Sequence, residues 1–541
     1  MNNKVLIWIM ALLSSVLLSI PWLVPHTGAL ILVAFIPLLC ADAVAEQARI
    51  RHFFFYYFSA FLIWNAATTF WVCNATVGGG IFAALVNTLL MSLVWALFRF
   101  FKKRAGGVLP YVFLAFVWVA WERLYLNAQI SWPWLCLGNA FGRTTRLVQW
   151  YEYTGTLGGS LWVWAVNLLL FGFLNAILDG IWQKWNSLRR CAMVLTCALA
   201  IAGPVLLSYN IFDNYEEESE GTLDVVIAQP NFDPYQKFES LSQRQQTDIL
   251  LDLFRKELAS MDSSSEVLLL APETFTSDIM LDNVAASPTV ESFIEFLSDR
   301  PGAQILFGAS TYQLHNRNSA PSILARKVGD KYWAENHNSA VLLKPDGRYD
   351  IFHKSKLVVG TELTPYPKLF VPLDDWLSRK MNVNGLMGRC IGQEEISLLD
   401  FSADAPLGCA VCYESVYGEY CTGYVKKGAK AMTVITNDAW WGDTPGYRQH
   451  MSYSCLRAIE LRRDIARCGN TGISAFIDQR GDVLSESRWW TRQVLRGSVN
   501  LNSRQTFFVR HGDITGRACQ WISLLLMLLF VGKAAAFRKR T

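Results

Sequence analysis

Apolar residues follow two rhythms along this chain. Long runs fill the segments at about 5–24, 28–46, 53–74, 80–101, 107–124, 156–179, 191–209 and 518–536. Each approaches the roughly 20 mostly apolar residues that a spanning helix needs, so the pattern predicts about eight transmembrane helices. The fifth runs into Glu122 and Arg123, and the second carries Asp42 near its end. Between 212 and 510 the apolar runs are short and alternate with amphipathic stretches. Strands are predicted at 222–229, 266–271, 304–310, 407–411, 432–436 and 472–478, with a hairpin of 339–344 and 349–352 around Pro345-Asp346-Gly347-Arg348. Helical spacing marks 241–258, 290–297 and 447–467. Such alternation implies a layered α/β or α+β core.

The organisation that follows is a membrane domain at 1–211 with about seven helices, an acidic linker at 212–221, an extramembrane domain at 222–510, and a final transmembrane helix with a basic tail at 511–541. Charged residues make up only 17%, against about 25% in a soluble average. Lys and Arg gather in alternate loops: Arg49 and Arg51; Arg99, Lys102, Lys103 and Arg104; Lys184, Arg189 and Arg190; and Arg538, Lys539 and Arg540. The positive-inside rule then places both termini in the cytoplasm and 222–510 on the opposite side of the membrane. The first run has one lysine ahead of it and no clear small-x-small cleavage site. An uncleaved anchor is the favoured reading and a signal peptide the alternative.

Twelve cysteines form no zinc-spaced cluster, and no metal or cofactor is expected. Cys409 and Cys412 make an isolated CxxC, for which a redox role is one reading. The other is that Cys412, where an apolar run turns polar, is a nucleophile at a strand tip. No histidine ends an apolar run in this domain. Glu273 and Lys354 do, and open α/β sheets place their sites at the carboxyl ends of strands. Singly, each of the three reads as a solvated strand end or a buried filler. Their order and contexts are more specific.

The motifs Ala271-Pro272-Glu273, His353-Lys354-Ser355-Lys356-Leu357-Val358 and Val411-Cys412-Tyr413-Glu414 resemble the nitrilase (carbon–nitrogen hydrolase) superfamily, with its Glu–Lys–Cys triad. The membrane runs, Thr436-Asn437-Asp438-Ala439-Trp440-Trp441-Gly442-Asp443 and Trp132-Pro133-Trp134-Leu135 are similar to its membrane-bound branch, the apolipoprotein N-acyltransferase family. The resemblance implies an inserted nitrilase-like α-β-β-α sandwich beside the membrane helices, in a bacterial inner membrane with the catalytic domain periplasmic. It implies Glu273, Lys354 and Cys412 as catalytic residues, Glu362, Glu414 and Tyr413 as supporting ones, and Trp440, Asn437 and Phe238 as substrate-binding ones. For the two supporting carboxylates, a surface position is the alternative. Lys356, Thr361 and Phe238 stand where the family commonly has other residues, which bears on acyl-chain or head-group preference more than on the reaction.

The implied reaction is acyl transfer from a membrane phospholipid, through a Cys412 thioester, to the amine of a diacylated apolipoprotein; no nucleic-acid partner is expected. Water as acceptor would make the protein a membrane-tethered amidase instead. A transporter or receptor would leave the ordered triad unexplained. Proline, glycine and apolar residues at 360–390 suggest a mobile arm that dips into the interface, with core packing of its aromatics as the alternative.

Overall fold

The computed structural model describes residues 2–234, 241–383 and 385–538. Phe238 lies outside them. The chain divides into two compact units. One comprises Met1–Ala128, Trp132–Tyr215 and His511–Thr541; the other comprises Gln129–Ser131 and Glu216–Arg510.

The first unit is helical. Among the described residues, seven helices are long and apolar enough to cross a membrane: Asn3–Leu23, Gly28–Gln47, Val77–Ala105, Leu109–Leu126, Tyr151–Leu178, Ser187–Asn214 and Ile514–Gly532. The eighth expected span, 53–74, is broken. It is helical over Phe54–Thr69 and again over Val72–Ala75. Sixteen residues rise only about 24 Å. Even so, this stretch pairs antiparallel with Val77–Ala105. Asn87 Nδ2 donates to Asn65 Oδ1 at 2.6 Å, and the Arg99 guanidinium sits 4.3 Å from the Phe53 ring. Both contacts link positions equally far from the turn between the helices. A buried aromatic cluster of Phe35, Trp95, Trp118 and Trp164 forms the centre, with Phe35 and Trp164 stacked at 4.3 Å. Arg123 ties the final helix to Leu109–Leu126 through Asp513 at 3.4 Å.

The second unit is a sandwich of two sheets. The first seven strands are β1 (Gly221–Gln229), β2 (Val267–Leu270), β3 (Thr276–Met280), β4 (Ala303–Asn316), β5 (Arg326–Val328), β6 (Tyr332–Leu343) and β7 (Tyr349–His353). Then come β8 (Leu399–Ser402), β9 (Ala405–Val411), β10 (Ala431–Thr436), β11 (Ile465–Gly469), β12 (Ala475–Ile477), β13 (Val483–Glu486) and β14 (Gln493–Leu501). One sheet runs β14-β1-β2-β4-β6-β5, with β3 on β4 and β7 on β6; the other runs β13-β12-β11-β10-β9-β8. Strands β1, β2 and β4 are parallel, as are β9, β10 and β11. These central strands are continuous apolar runs because both faces are covered. Helices Gln243–Leu258 and Pro288–Ser298 bury Leu250, Phe254, Phe293 and Leu297 on the first sheet. Helices Gly418–Lys426 and Pro445–Leu461 cover the second. The layers are therefore α-β-β-α.

Two expectations need correction. The helix expected over 447–467 ends at Leu461, where Arg462 turns left-handed (φ 49°), and Ile465–Gly469 is strand β11. That helix is buried on every side, so no amphipathic stripe marks its end. The segment 360–390 is not a loop throughout. Pro367–Met381 is a helix, opened by Pro367 and closed by Asn382 in a left-handed cap. Its Leu369, Leu373 and Trp376 form an exposed apolar face, so they do not pack in the core.

Candidate active site

Three strands deliver the triad residues to one place. After β2, Ala271-Pro272 leads to Glu273, and the loop returns alongside β4: Gly308 N donates to Pro272 O at 3.1 Å, and Phe275 N to Gly308 O at 2.8 Å. A Cβ on Gly308 would lie 2.4 Å from Glu273 Cα, so this approach requires glycine. After β7, Lys354 N donates to Asn338 O on β6 at 2.8 Å, continuing the ladder. After β9, the backbone of Cys412 turns left-handed at φ 53°. That conformation costs a non-glycine residue about 1–2 kcal/mol and persists only when surrounding contacts enforce it.

Glu273, Lys354, Glu362 and Asn338 form one network. Lys354 Nζ lies 3.0 Å from Glu273 Oε1 and 3.0 Å from Glu362 Oε2. Asn338 Nδ2 donates to Glu273 Oε1 at 2.7 Å and to Glu362 Oε1 at 2.6 Å. Asn437 N donates to Glu273 Oε2 at 3.1 Å, and Val358 N to Glu362 Oε2 at 2.8 Å. Lys354 is 1% exposed. Burial opposes its charge, but Glu273 and Glu362 outweigh that and hold its pKa well above the ordinary lysine value. It is a fixed cation.

Cys412 is buried, and burial pushes its thiol well above the ordinary range. The Glu273 charge pushes the same way, and Lys354 only partly offsets them. The Cys412 thiol is therefore neutral at rest, and both the Glu273 carboxylate and the Lys354 ammonium act on it electrostatically. Cys409, also buried, has its pKa raised to about 12 by burial. All twelve cysteines are free.

Glu414 ties two of the strand ends together. Its Oε1 accepts from Ser355 N at 2.7 Å, Lys356 N at 3.1 Å and Tyr420 OH at 3.0 Å; its Oε2 accepts from Val411 N at 2.8 Å. Burial raises its pKa to about 7, against the lowering effect of those backbone donors. Both carboxylates expected to support the site thus lie inside it rather than on the surface. Tyr413 is buried, and its hydroxyl donates to Ser131 O at 3.0 Å. Asn437 Oδ1 accepts from Asn470 Nδ2 at 3.1 Å, while Trp440 is partly exposed.

Sequence reasoning gave no role to four buried residues of the site. One is Asn338, which sits within β6. The others are Asp438, His450 and Arg467, packed behind Cys412. His450 Nδ1 lies 2.9 Å from Asp438 Oδ1, and Arg467 Nη2 donates to Asp438 Oδ2 at 2.8 Å. His450 Nε2 faces the carbonyl oxygen of Cys412 at 3.1 Å, and Ser415 Oγ donates to the same oxygen at 2.7 Å. Cys412, Asp438 and His450 offer donor atoms within 4.8 Å of one another. Asp438 is already saturated by a guanidinium, an imidazole and Thr436 Oγ1, so the set reads as a positioning cluster rather than a metal centre. Asp438 lies in the motif at 436–443 already singled out. His450 stands mid-helix and Arg467 within β11, so neither ends an apolar run.

Both units of the chain are similar to known proteins. A carbon-nitrogen hydrolase family model matches residues 303–507, and an apolipoprotein N-acyltransferase N-terminal domain model matches 14–169. The apolipoprotein N-acyltransferase of Chlorobaculum tepidum is 30% identical over 538 residues, covering 98% of this chain and 96% of that protein. That of Geobacter metallireducens is 26% identical over 518 residues, covering 95% and 93%. Among solved structures, Saccharomyces cerevisiae Nit3, of the nitrilase superfamily, aligns over 56% of this chain and 98% of its own, at 12% identity and a TM-score of 0.38.

Proposed function

Since the chain belongs to the apolipoprotein N-acyltransferase family, we propose that Glu273, Lys354 and Cys412 carry a two-step acyl transfer from a membrane phospholipid to a diacylated lipoprotein amine. The observation that carries it is Glu273, held by Lys354 and Asn338 on one oxygen and Asn437 N–H on the other, beside a neutral thiol.

In the first step Cys412 Sγ attacks the ester carbonyl as its proton passes to Glu273. Because the thiol is not ionised at rest, proton transfer accompanies attack. The oxyanion forms against the Lys354 ammonium and a backbone N–H at the 412 turn. The ester C–O bond then breaks, and the departing alkoxide takes the proton from Glu273, leaving lysophospholipid and thioester. In the second step Glu273 accepts a proton from the lipoprotein amine as the nitrogen attacks the thioester. The C–S bond breaks, the sulfur is reprotonated, and an amide-linked third chain results.

Glu362 and Asn338 hold Lys354 and Glu273 in register, and Glu414 orders the elbow. Tyr413 supports the same turn, and Asn437, Trp440 and Phe238 are the proposed contacts to substrate. The exposed Leu369, Leu373 and Trp376 face suits entry of lipid tails from the interface. For orientation, the pairing of 54–75 with the long helix after it supports an eighth crossing, hence both termini cytoplasmic and the catalytic unit periplasmic in a bacterial inner membrane.

The test is to incubate purified protein with phospholipid and a diacylated lipopeptide and to follow N-acylation by mass spectrometry. Wild type should give the triacylated product, and the Cys412→Ser variant should give no thioester adduct. Release of free fatty acid with no dependence on the amine would favour hydrolysis and sink the proposal.

A further inference from the structure

A cleft of about 830 Å³ opens in the helical unit, where the turn at 49–53 meets the end of the Val77–Ala105 helix. Six cations line it: Arg49, Arg51, Arg99, Lys102, Lys103 and Arg104. Only two acids do, Asp42 and Glu46. The acids are already committed. Asp42, 1% exposed, is bound by Arg99 Nε at 2.9 Å and Lys102 Nζ at 2.6 Å; Lys102 also reaches Glu46 at 2.7 Å. These four charges form a neutral floor. Arg49, Arg51, Lys103 and Arg104 carry no counter-ion among the described residues, so six cations less two acids leave the mouth with four positive charges.

The mouth has a fixed shape. Arg49 and His52 are both left-handed (φ 51° and 60°), and the turn between them is closed by Ile50 N donating to Ala45 O at 2.8 Å. One wall is apolar and aromatic: Phe53 under the Arg99 guanidinium at 4.3 Å, with Tyr57 and Phe100 beside it. Cations around an aromatic-walled cleft at the end of membrane helices match a ligand with an anionic head and an apolar body. Basic loops alone would fix orientation, but they would not require a cleft with a neutralised floor and an unneutralised rim.

We propose that this cleft binds the phosphate head group of an anionic phospholipid from the leaflet at that end of the helices, with its glycerol and first methylenes along the aromatic wall. Such basic pockets between membrane helices are a known mode of head-group capture. The site is separate from the Glu273–Lys354–Cys412 chemistry and stands whether or not that reading does.

The experiment is native mass spectrometry of the full chain released from nanodiscs of equal phosphatidylglycerol and phosphatidylcholine. Wild type is expected to retain phosphatidylglycerol selectively. Arg49→Gln/Arg51→Gln/Lys103→Gln should weaken that retention by roughly tenfold or more, since each surface cation contributes about a fewfold in affinity. Arg49→Lys/Arg51→Lys, which keeps the charge, should retain it and show that the turn still folds. Equal retention of the two lipids by wild type, or unchanged selectivity in the triple variant, would overturn the proposal and leave the cations as orientation signals. Displacement of the bound lipid by glycerol 1-phosphate at similar concentration would also overturn it, in favour of a soluble phosphate ester.

Discussion

The Nε2 atom of His450 lies 3.1 Å from the carbonyl oxygen of Cys412, while its Nδ1 lies 2.9 Å from Asp438. This links the left-handed turn at Cys412 to a fully buried carboxylate that Arg467 also holds. Burial disfavours the Asp438 charge, yet His450 and Arg467 keep its pKa below the ordinary value, so it stays ionised. The cluster supplies the contacts that a left-handed cysteine needs.

His450→Ala should therefore lower the rate of acyl transfer by about tenfold to a hundredfold and cost about 1–3 kcal/mol of stability, because buried partners lose their hydrogen bonds. His450→Gln, which can still reach the Cys412 carbonyl, should recover part of the rate. Iodoacetamide labelling of Cys412 separates the cases. A slowed labelling rate in the alanine variant, restored by glutamine, marks positioning. Equal labelling in all three would rule it out.

Asn338 donates to both Glu273 and Glu362, and the same two carboxylates flank Lys354. Asn338→Asp would set a third carboxylate against them with no added cation. Turnover should fall by about a hundredfold or more, and Asn338→Ala should lose less. Steady-state kinetics of the two variants check the order. An aspartate variant as active as the alanine one would show that the amide does not hold the carboxylates.

How much of this was legible in the chain depends on which residues announce themselves. Glu273, Lys354 and Cys412 each follow an apolar run, so strand patterning located them. Asn338, His450 and Arg467 lie within elements, where a polar residue reads as an exposed position until tertiary packing closes over it. Likewise β14 was not anticipated. Its sequence Gln493–Leu501 alternates weakly because it pairs only with β1 in its sheet and is half solvated. The membrane runs were plain from length alone, whereas the break at 70–71 left no trace in hydropathy.

Glu414 makes stability depend on pH in a definite direction. Its folded pKa is about 7, above the ordinary 4.5, so the unfolded chain gives up this proton first as pH rises. Between about 4.5 and 7 the folded state binds more protons, and stability falls with rising pH. The full effect, of order 3 kcal/mol, is reached above pH 7. Thermal unfolding in detergent from pH 5 to pH 8 should show the decline, and Glu414→Gln should flatten it. A variant with the wild-type slope would assign the dependence elsewhere.

Gly308 tests whether the position of Glu273 is fixed by the close approach of β4. An added Cβ would meet Glu273 Cα at 2.4 Å and Thr274 N at 2.6 Å, both backbone atoms that cannot swing aside. Gly308→Ala must therefore push the Glu273 loop away from Lys354 and Asn437. Overpacking of this kind typically costs about 1–3 kcal/mol. A shift of about 1 Å at a catalytic base can cost about a hundredfold in rate. The expected result is a folded protein with a modestly lower unfolding midpoint and a much larger loss of acyl transfer. A loss of stability with activity intact would mean that Glu273 tolerates displacement, and its role as the proton acceptor would have to be given up.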